Sequence, residues 1–322
     1  MPGLGLAPWL CRHWGARTVV VVGLACSVLA LLGIAWVPMA SLPWPVYLAC
    51  GLLAGLGMGL RWVGLEPWLY NIAPAHARGR LVGFHETLIA AAPVVAPAIA
   101  ALVGVQGYTI LWVGIGFTVS ALLPLAFARR PPHDAAALAS GGWRQSGAAA
   151  WPHRIFRQGL LIALCGGMLE SALAGLFAVF AGDRGFEAEG IAHLLTAFGL
   201  GGLLFAVSAY YLVHRLGEVG LCRWGGVLVA ASYVIVAVSS NWWWAMPACF
   251  LAGLGFYMLH NTLQVQATQM APAARGTAVT LFACSLFFGQ STGVLLMAQS
   301  VDMGWLSLAF TAAAVGVSGL GV

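Results

Sequence analysis

Two segments of this chain, about 200 residues apart, repeat one pattern, at a distance too long for a solenoid unit. Residues 55–88 and 253–286 each set paired glycines in an apolar run, followed by Ala-Pro and then by Arg-Gly. Residues 9–15 and 211–217 form a second matching pair, with aromatic and basic residues ahead of a glycine. Because two landmarks recur in the same order, we expect a fold built from two similar halves.

Composition indicates where such halves reside. Hydrophobic residues make up 61% of the chain and charged residues 7%, against roughly 25% charged in a soluble domain. Apolar stretches recur along the whole length, each near the roughly 20 residues that a helix needs to cross a bilayer. The sequence therefore predicts an all-α integral membrane protein with two pseudo-symmetric helical bundles and ten complete spans: 18–37, 44–72, 81–104, 108–127, 156–181, 190–212, 219–239, 243–268, 277–299 and 303–322.

The basic residues predict the topology. Every one is an arginine, and all except Arg61 and Arg184 fall in alternate loops between the spans. The positive-inside rule places those loops and the C-terminus in the cytoplasm. Because the arginines are dispersed and not clustered on one face, no nucleic-acid partner is expected.

The seven cysteines form no Cys-x-x-Cys pair and no spacing typical of metal ligands, so neither a metal nor a cofactor is predicted. Five of them fall inside apolar spans, where we interpret them as small buried hydrophobic residues: Cys26, Cys50, Cys165, Cys249 and Cys284.

The repeat also predicts the domain organisation. We expect an N-terminal bundle over 1–128, a cytoplasmic loop over 129–155 and a C-terminal bundle over 156–322. Far fewer residues precede Gly15 than separate Arg157 from Gly217, so the first span and most of the second are expected to lie outside this sequence. The alternative, a signal peptide or anchor over 12–36, is less favoured because the loop ahead of it matches an internal loop.

These features resemble the major facilitator superfamily of secondary transporters. The resemblance covers the whole chain and rests on the two six-helix halves, the basic loop with glycine after the second helix, and the Pro-then-Arg-Gly loop after the fourth. It implies transport of a small molecule by a monomer in the bacterial inner membrane. Counted by that family, the first span present here is the third.

The cytoplasmic loop motif of that family is only partly present. Gly15 and Arg17 match its pattern, Gly-x-x-x-Asp-Arg/Lys-x-Gly-x-Arg/Lys, but Arg12 replaces the aspartate, so the family's charge relay does not carry over. Glu66-Pro67-Trp68-Leu69 and the arginines that follow it resemble the YcaD-like bacterial permeases. The resemblance implies gating or cytoplasmic-motif roles for Gly15, Arg17, Glu66, Trp68, Arg78, Gly79, Arg80, Gly217, Arg275 and Gly276.

Two further patterns lie in the fourth and fifth spans. Residues 92–101 are similar to the antiporter motif Gly-x-x-x-Gly-Pro-x-x-Gly-Gly with alanine in place of glycine, which favours export by antiport about as much as it favours an ordinary Ala-rich packing face. Gly51, Gly55 and Gly59 recur every four residues, so this stripe is expected to press against a neighbouring helix.

Ionisable residues inside the membrane indicate function, because each costs at least ~2.5 kcal/mol at the bilayer centre unless it faces a polar cavity. Glu170 lies near the middle of the seventh span without an arginine nearby, which is typical of a proton-carrying or cation-binding group. Arg61, in the fourth span, either binds an anionic substrate or pairs with an acid on another helix. Glu66 is interpreted as a gating or structural contact of Arg78 or Arg80.

Polar residues of the second half complete the predicted substrate or proton site. His260, Asn261 and Gln264 occupy the stretch of the tenth span that corresponds to Arg61 and Glu66. His260 is either a titrating group or a hydrogen-bonded packing residue. Gln290 in the eleventh span is a weaker candidate. Such a site lies where transporters of this type bind substrate, near the midplane between the repeats.

Three functions are open at this point. The first is a secondary transporter of a small organic solute, proton-coupled, with export by antiport slightly favoured; its partners are the substrate, protons and the lipid bilayer. The second is a remnant that does not transport. The third, a membrane enzyme acting on lipid, is disfavoured because no clustered nucleophile, acid-base pair or metal site is found.

Overall fold

A computed structural model gives the fold, and its described residues form α-helices. The structure describes residues 7, 9–11, 13–36, 43–72, 78–104, 107–128, 157, 159–168, 182, 185, 187–238, 241–270 and 275–320. In chain order the helices are α1 (Ala16–Trp36), α2 (Trp44–Ile72), α3 (Arg78–Val103), α4 (Thr109–Ser120), α5 (Leu122–Phe127), α6 (Gly159–Met168), α7 (Ala188–Val238), α8 (Trp242–Met270), α9 (Arg275–Asp302) and α10 (Leu306–Leu320).

The helix bounds follow the predicted spans closely. Helix α2 begins and ends where its span was predicted, and α7 joins the spans 190–212 and 219–239 across a break at Gly217. The predicted span 156–181 is described only as far as Met168. Helices are the expected result, because a spanning segment must satisfy its backbone hydrogen bonds internally in lipid.

Five helical stretches within the described residues are long and apolar enough to cross a bilayer by length and composition: Ala16–Trp36, Trp44–Leu65, Thr109–Phe127, Gly190–Val236 and Leu281–Asp302. This finding confirms a helical protein with membrane-spanning segments. The total of ten complete spans stays a prediction.

The chain divides into two compact units. The first comprises Met1–Val82 and Gly104–Ala149, and the second comprises Gly83–Val103 and Ala150–Val322. In this division 83–103 groups with the second unit, whereas the sequence analysis assigned it to the first bundle. The predicted inter-bundle loop, 129–155, lies outside the described residues, so the domain boundaries stay a prediction.

In the first unit, α1 packs against α2 and α4. The crossing of α1 with α2 depends on glycines, since a Cβ at Gly23 would lie 2.7 Å from the carbonyl oxygen of Gly57. Gly64 approaches Val20 in the same way, at 2.9 Å from its Cγ2. Helices associate in lipid through close backbone approach at small residues.

The second unit is built around the contact between α7 and α8. Its core consists mainly of alanine, leucine and valine side chains from α7, α8 and α10, with Tyr233 almost fully buried among them. Glycines again set the crossing: a Cβ at Gly201 would collide with the carbonyl oxygen of Phe250, and one at Gly253 with that of Phe198. A further close crossing joins α6 and α9 at Gly167 and Gly289.

The predicted stripe of Gly51, Gly55 and Gly59 does not pack as expected. A Cβ at Gly51 or Gly55 would meet no atom within 4 Å, and both residues are exposed, whereas Gly59 is buried. Gly57, outside the stripe, meets α1, as Gly64 does. The prediction was wrong for Gly51 and Gly55, because glycines four apart mark one face of a helix, but the spacing does not say which face a neighbour covers.

Candidate functional site

Two loop glycines of the repeat adopt the same unusual backbone conformation. Gly15 has a φ of 79° and Gly217 a φ of 68°, a left-handed region that side chains with a Cβ disfavour. Gly15 separates a helical turn from α1, and Gly217 breaks α7. Their predicted place in a cytoplasmic motif therefore has a physical reason: each lets the chain turn between two helices.

The repeat extends from these glycines into the membrane. Gly23 and Gly225 each lie eight residues after the loop glycine of their half. Each meets the second of the paired glycines in the repeated segment, Gly57 and Gly255 respectively, at a Cβ-to-oxygen distance of 2.7 and 2.8 Å. The two units therefore use one crossing geometry, as the sequence duplication predicts.

Arg61 lies at the crossing of α1 and α2. Its Cγ would be 2.8 Å from a Cβ at Gly23, so the aliphatic part of the side chain packs directly on that glycine. Its Nε is buried and has no hydrogen-bond partner among the described residues. Leaving a buried donor unpaired costs about 1–3 kcal/mol, and more for a charged group.

The depth of Arg61 adds to this cost. It lies about 26 Å along α2 from Trp44, at a rise of ~1.5 Å per residue, and four residues before the end of the apolar stretch Trp44–Leu65. An arginine costs about 2.5–3.5 kcal/mol at the centre of a spanning helix on insertion scales and less toward its ends, so Arg61 carries part of that cost. A charged residue inside a spanning helix is a functional candidate by default. The predicted role of Arg61 in binding substrate stays a prediction.

Trp68, predicted to belong to the gating motif, lies two turns further along the same face of α2. Its side chain is only 4% exposed and packs with Val20 and Leu24 of α1 and with Leu125 of α5. Its Nε1 also lacks a hydrogen-bond partner in the described part of the chain. Arg17 lies near this end of the unit, where its Nη2 donates to the carbonyl oxygen of Ala126 at 3.4 Å.

The polar residues predicted on α8 are held by their own helix. The amide nitrogen of Asn261 donates to the carbonyl oxygen of Tyr257 at 3.1 Å. The His260 ring lies 5.3 Å from the Phe256 ring, between centroids, and is half-buried. These contacts fix both side chains on α8 within the second unit.

Gln290 is also half-buried, next to the crossing of α6 and α9. Its backbone nitrogen would lie 3.0 Å from a Cβ at Gly167, so α6 passes directly over this part of α9. Glu170 follows the end of α6 by two residues and lies outside the described residues.

The other predicted site residues are described by their backbone alone. Arg78 begins α3 and Arg275 begins α9, so the repeated Arg-Gly pair starts a helix in both halves. The side chains of Glu66, Arg78, Arg80, Gln264 and Arg275 lie outside the described residues, and Gly79 and Gly276 are described only as helical. The structure describes Arg61 in one unit and His260, Asn261 and Gln290 in the other.

Sequence reasoning missed a repeated pairing of an aromatic with a basic side chain. Trp9 and His13 have ring centroids 4.3 Å apart, and the guanidinium carbon of Arg215 lies 5.3 Å from the centre of the Tyr211 ring. These pairs occupy matching positions ahead of Gly15 and Gly217. The sequence contained the signal for these pairs, because the two residues of each pair are four apart and residues at that spacing share a helix face.

No group of three histidine, cysteine or acidic residues that could hold a metal occurs within the described ranges. The arrangement is one of helices that cross on glycines, with a few polar groups embedded among apolar residues.

Comparison with known proteins identifies the family. The family model described as Major Facilitator Superfamily matches residues 2–294. This chain belongs to the Major Facilitator Superfamily. The sequence matches no curated protein. This membership confirms the predicted superfamily. The family indicates a transporter and not an enzyme, which confirms that prediction as well.

Solved structures show the same fold. The E. coli fucose:proton symporter FucP has a TM-score of 0.70 at 13% identity, with 99% of this chain and 85% of that chain covered. The nucleoside transporter NupG has a TM-score of 0.77 at 15% identity, covering 99% and 85%. The human organic anion transporter MFSD10 has a TM-score of 0.73 at 16% identity, covering 99% and 80%. At these identities the likeness shows the fold alone.

Proposed function

We propose that this protein is a proton-coupled secondary transporter that moves a small organic solute across the bacterial inner membrane by alternating access. The observation that carries the proposal is membership of the Major Facilitator Superfamily over residues 2–294. Its structural neighbours add support, since they include a fucose:proton symporter and a proton:xylose symporter. The arginine-rich loops support a cytoplasmic C-terminus.

The proposal includes a direction and a site. Export by antiport is supported by the alanine- and proline-containing segment 92–101, which is described as part of α3. Substrate and proton binding are assigned to Glu170, Arg61, His260, Asn261, Gln264 and Gln290. Gating is assigned to the two repeated loops, with Gly15, Arg17, Trp68 and Gly217 among their residues. Within the family, the YcaD-like permeases remain the proposed branch.

Transport in proteoliposomes tests this function. An imposed pH gradient should drive solute movement in one sense only, and the sense distinguishes antiport from symport. Glu170→Gln should abolish gradient-driven transport but keep solute exchange, because exchange needs no net change of protonation. Glu66→Gln, in the gating region, is the control and should slow both modes together.

Undiminished proton-driven transport by Glu170→Gln would remove this residue from the mechanism and direct attention to His260. Absence of both exchange and gradient-driven movement for every solute offered to the wild-type protein would contradict the transport function itself.

A further inference from the structure

We propose that Arg61 binds the carboxylate of an organic anion, and that the transported solute is therefore a small monocarboxylate. This inference rests on the proposed transport function and names the substrate class for one of its binding residues. It starts from a difference between the two halves at equivalent positions of the repeat.

Arg61 and Leu259 are equivalent residues, because each lies six positions after the first of the paired glycines, Gly55 and Gly253. Their side chains also make the same contact. The Cγ of Arg61 would lie 2.8 Å from a Cβ at Gly23, and the Cγ of Leu259 would lie 3.1 Å from a Cβ at Gly225. An aliphatic side chain is therefore sufficient for packing at this crossing. The guanidinium of Arg61 must have a role other than packing.

The guanidinium of Arg61 has a hydrogen-bond donor that lacks an acceptor among the described residues. The Nε of Arg61 is buried without an acceptor among the described residues, and so is the Nε1 of Trp68 on the same face of α2. Both groups only donate hydrogen bonds. The two residues lie about 10 Å apart along the helix, so one carboxylate does not bond both donors. The missing partner of Arg61 must be a hydrogen-bond acceptor, and beside a cation the acceptor is expected to be anionic.

The shape and charge of the group favour a carboxylate. Nε and one terminal nitrogen of a guanidinium form a planar fork that fits two oxygens of a carboxylate. A single arginine balances a single negative charge. Arg17 keeps its own charge, but it lies six residues before Gly23 on α1, where its Nη2 donates to the carbonyl oxygen of Ala126. The side chain of Arg61 is partly exposed while its Nε is buried, so a small anion approaches from the exposed part of the side chain.

The residues around Arg61 restrict the rest of the solute. Gly23 and Gly57 meet at this crossing without side chains, and the hydroxyl of Ser27 donates to the carbonyl oxygen of Gly23 at 3.1 Å. These neighbours add no charge. A solute with one carboxylate and a neutral remainder therefore fits this position, whereas a polyanion does not.

Binding to the purified protein in detergent tests the proposal. The probes are lactate, octanoate and benzoate, each paired with its neutral amide: lactamide, octanamide and benzamide. The variant is Arg61→Leu, which installs the residue that the second half already uses at this position. Arg223→Leu removes the same charge from an exposed site and is the matched control.

We expect at least one carboxylate to raise the melting temperature of the wild-type protein and of Arg223→Leu, while its amide does not. Arg61→Leu should bind that carboxylate at least about tenfold more weakly, the loss expected for a charge-assisted hydrogen bond. Without ligand, Arg61→Leu should melt no lower than the wild type, because it removes a buried donor that lacks a partner. Arg61→Lys keeps the charge but loses the fork, and should fall between the two in affinity.

Failure of all three carboxylates to bind the wild-type protein would overturn the proposal, as would equal binding by Arg61→Leu. A large loss of stability in ligand-free Arg61→Leu would also overturn it, by showing that a carboxylate of the protein itself pairs with Arg61. Binding through Arg61 without uptake into proteoliposomes would reject the transport function but support the anion site. Uptake of neutral solutes at equal rates by the wild type and Arg61→Leu would support the transport function but reject the anion site.

Discussion

At the scale of single residues, neighbouring glycines of α2 have opposite surroundings. Gly57 faces α1 so closely that a Cβ there would lie 2.7 Å from the Oγ of Ser27. Gly55, two residues earlier, is exposed and would place its Cβ in open space. A larger side chain at Gly57 must therefore displace α1, whereas one at Gly55 meets open space.

We therefore predict that Gly57→Leu lowers the yield of folded protein severalfold, whereas Gly55→Leu keeps it near the wild-type value. Overfilling a packed contact typically costs about 1–3 kcal/mol. The measurement is the monodisperse fraction in detergent on size-exclusion chromatography. Equal losses in the two variants would show that the face of α2 carrying Gly55 is also covered by protein.

Cys11 gives a second prediction at this scale. It lies ahead of α1 and is 5% exposed, and burial raises the pKa of its thiol to about 11. Only the thiolate reacts with alkylating reagents, so a raised pKa leaves little reactive form at neutral pH. In a variant whose other cysteines are replaced by serine, alkylation of Cys11 should be slow at pH 7 and rise about tenfold per pH unit up to pH 10.

The same variant unfolded in detergent should be labelled quickly at pH 8, because exposure restores an ordinary thiol pKa. A labelling rate in the folded protein that levels off near pH 9 would contradict the burial of Cys11.

At the scale of helices, the repeat is strongest where a helix must bend or cross another. The break in α7 is set by Gly217, whose φ of 68° and ψ of 172° belong to a region open essentially to glycine. The crossing glycines Gly225 and Gly255 then bring α7 and α8 together.

Gly217→Ala should destabilise the protein by about 1–3 kcal/mol, because an alanine at this φ and ψ is strained whatever space surrounds it. Gly166→Ala is the matched control. That glycine is helical and its Cβ would meet nothing within 4 Å, so the alanine should be neutral or slightly stabilising. Thermal unfolding in detergent measures both. A melting temperature of Gly217→Ala equal to that of Gly166→Ala would mean that α7 tolerates a different break.

At the scale of the whole molecule, the distribution of arginine predicts which loops face the cytoplasm. Glu187 is exposed at the start of α7, in a loop that the positive-inside rule places outside. Arg223 is exposed beyond the break at Gly217, on the side predicted to be cytoplasmic.

In a cysteine-free background, Glu187→Cys should react with a membrane-impermeant maleimide from outside intact cells. Arg223→Cys should react only after the cells are opened. Labelling of Glu187→Cys from the cytoplasmic side alone would reverse the topology and with it the predicted side of the C-terminus.

The sequence by itself determined the class of protein, the repeat and the helix bounds. Apolar runs of spanning length must be helical in lipid, so the bounds of α2 followed directly from the pattern. It also determined the family, since the repeated glycine and Arg-Gly loops are local in the chain. It singled out Arg61 as well, because a charge inside an apolar run needs no structure to be noticed.

Only the tertiary structure decided which faces of those helices meet. A membrane helix is apolar on all sides, so hydrophobic periodicity does not separate the buried face from the lipid face as it does in a soluble protein. That is why the glycine spacing pointed to the face with Gly55, although Gly57 lies at the crossing with α1. The packing of Arg61 on Gly23, and the equivalence of this contact with that of Leu259 on Gly225, likewise depend on how two distant segments cross, and a linear sequence does not record that distance.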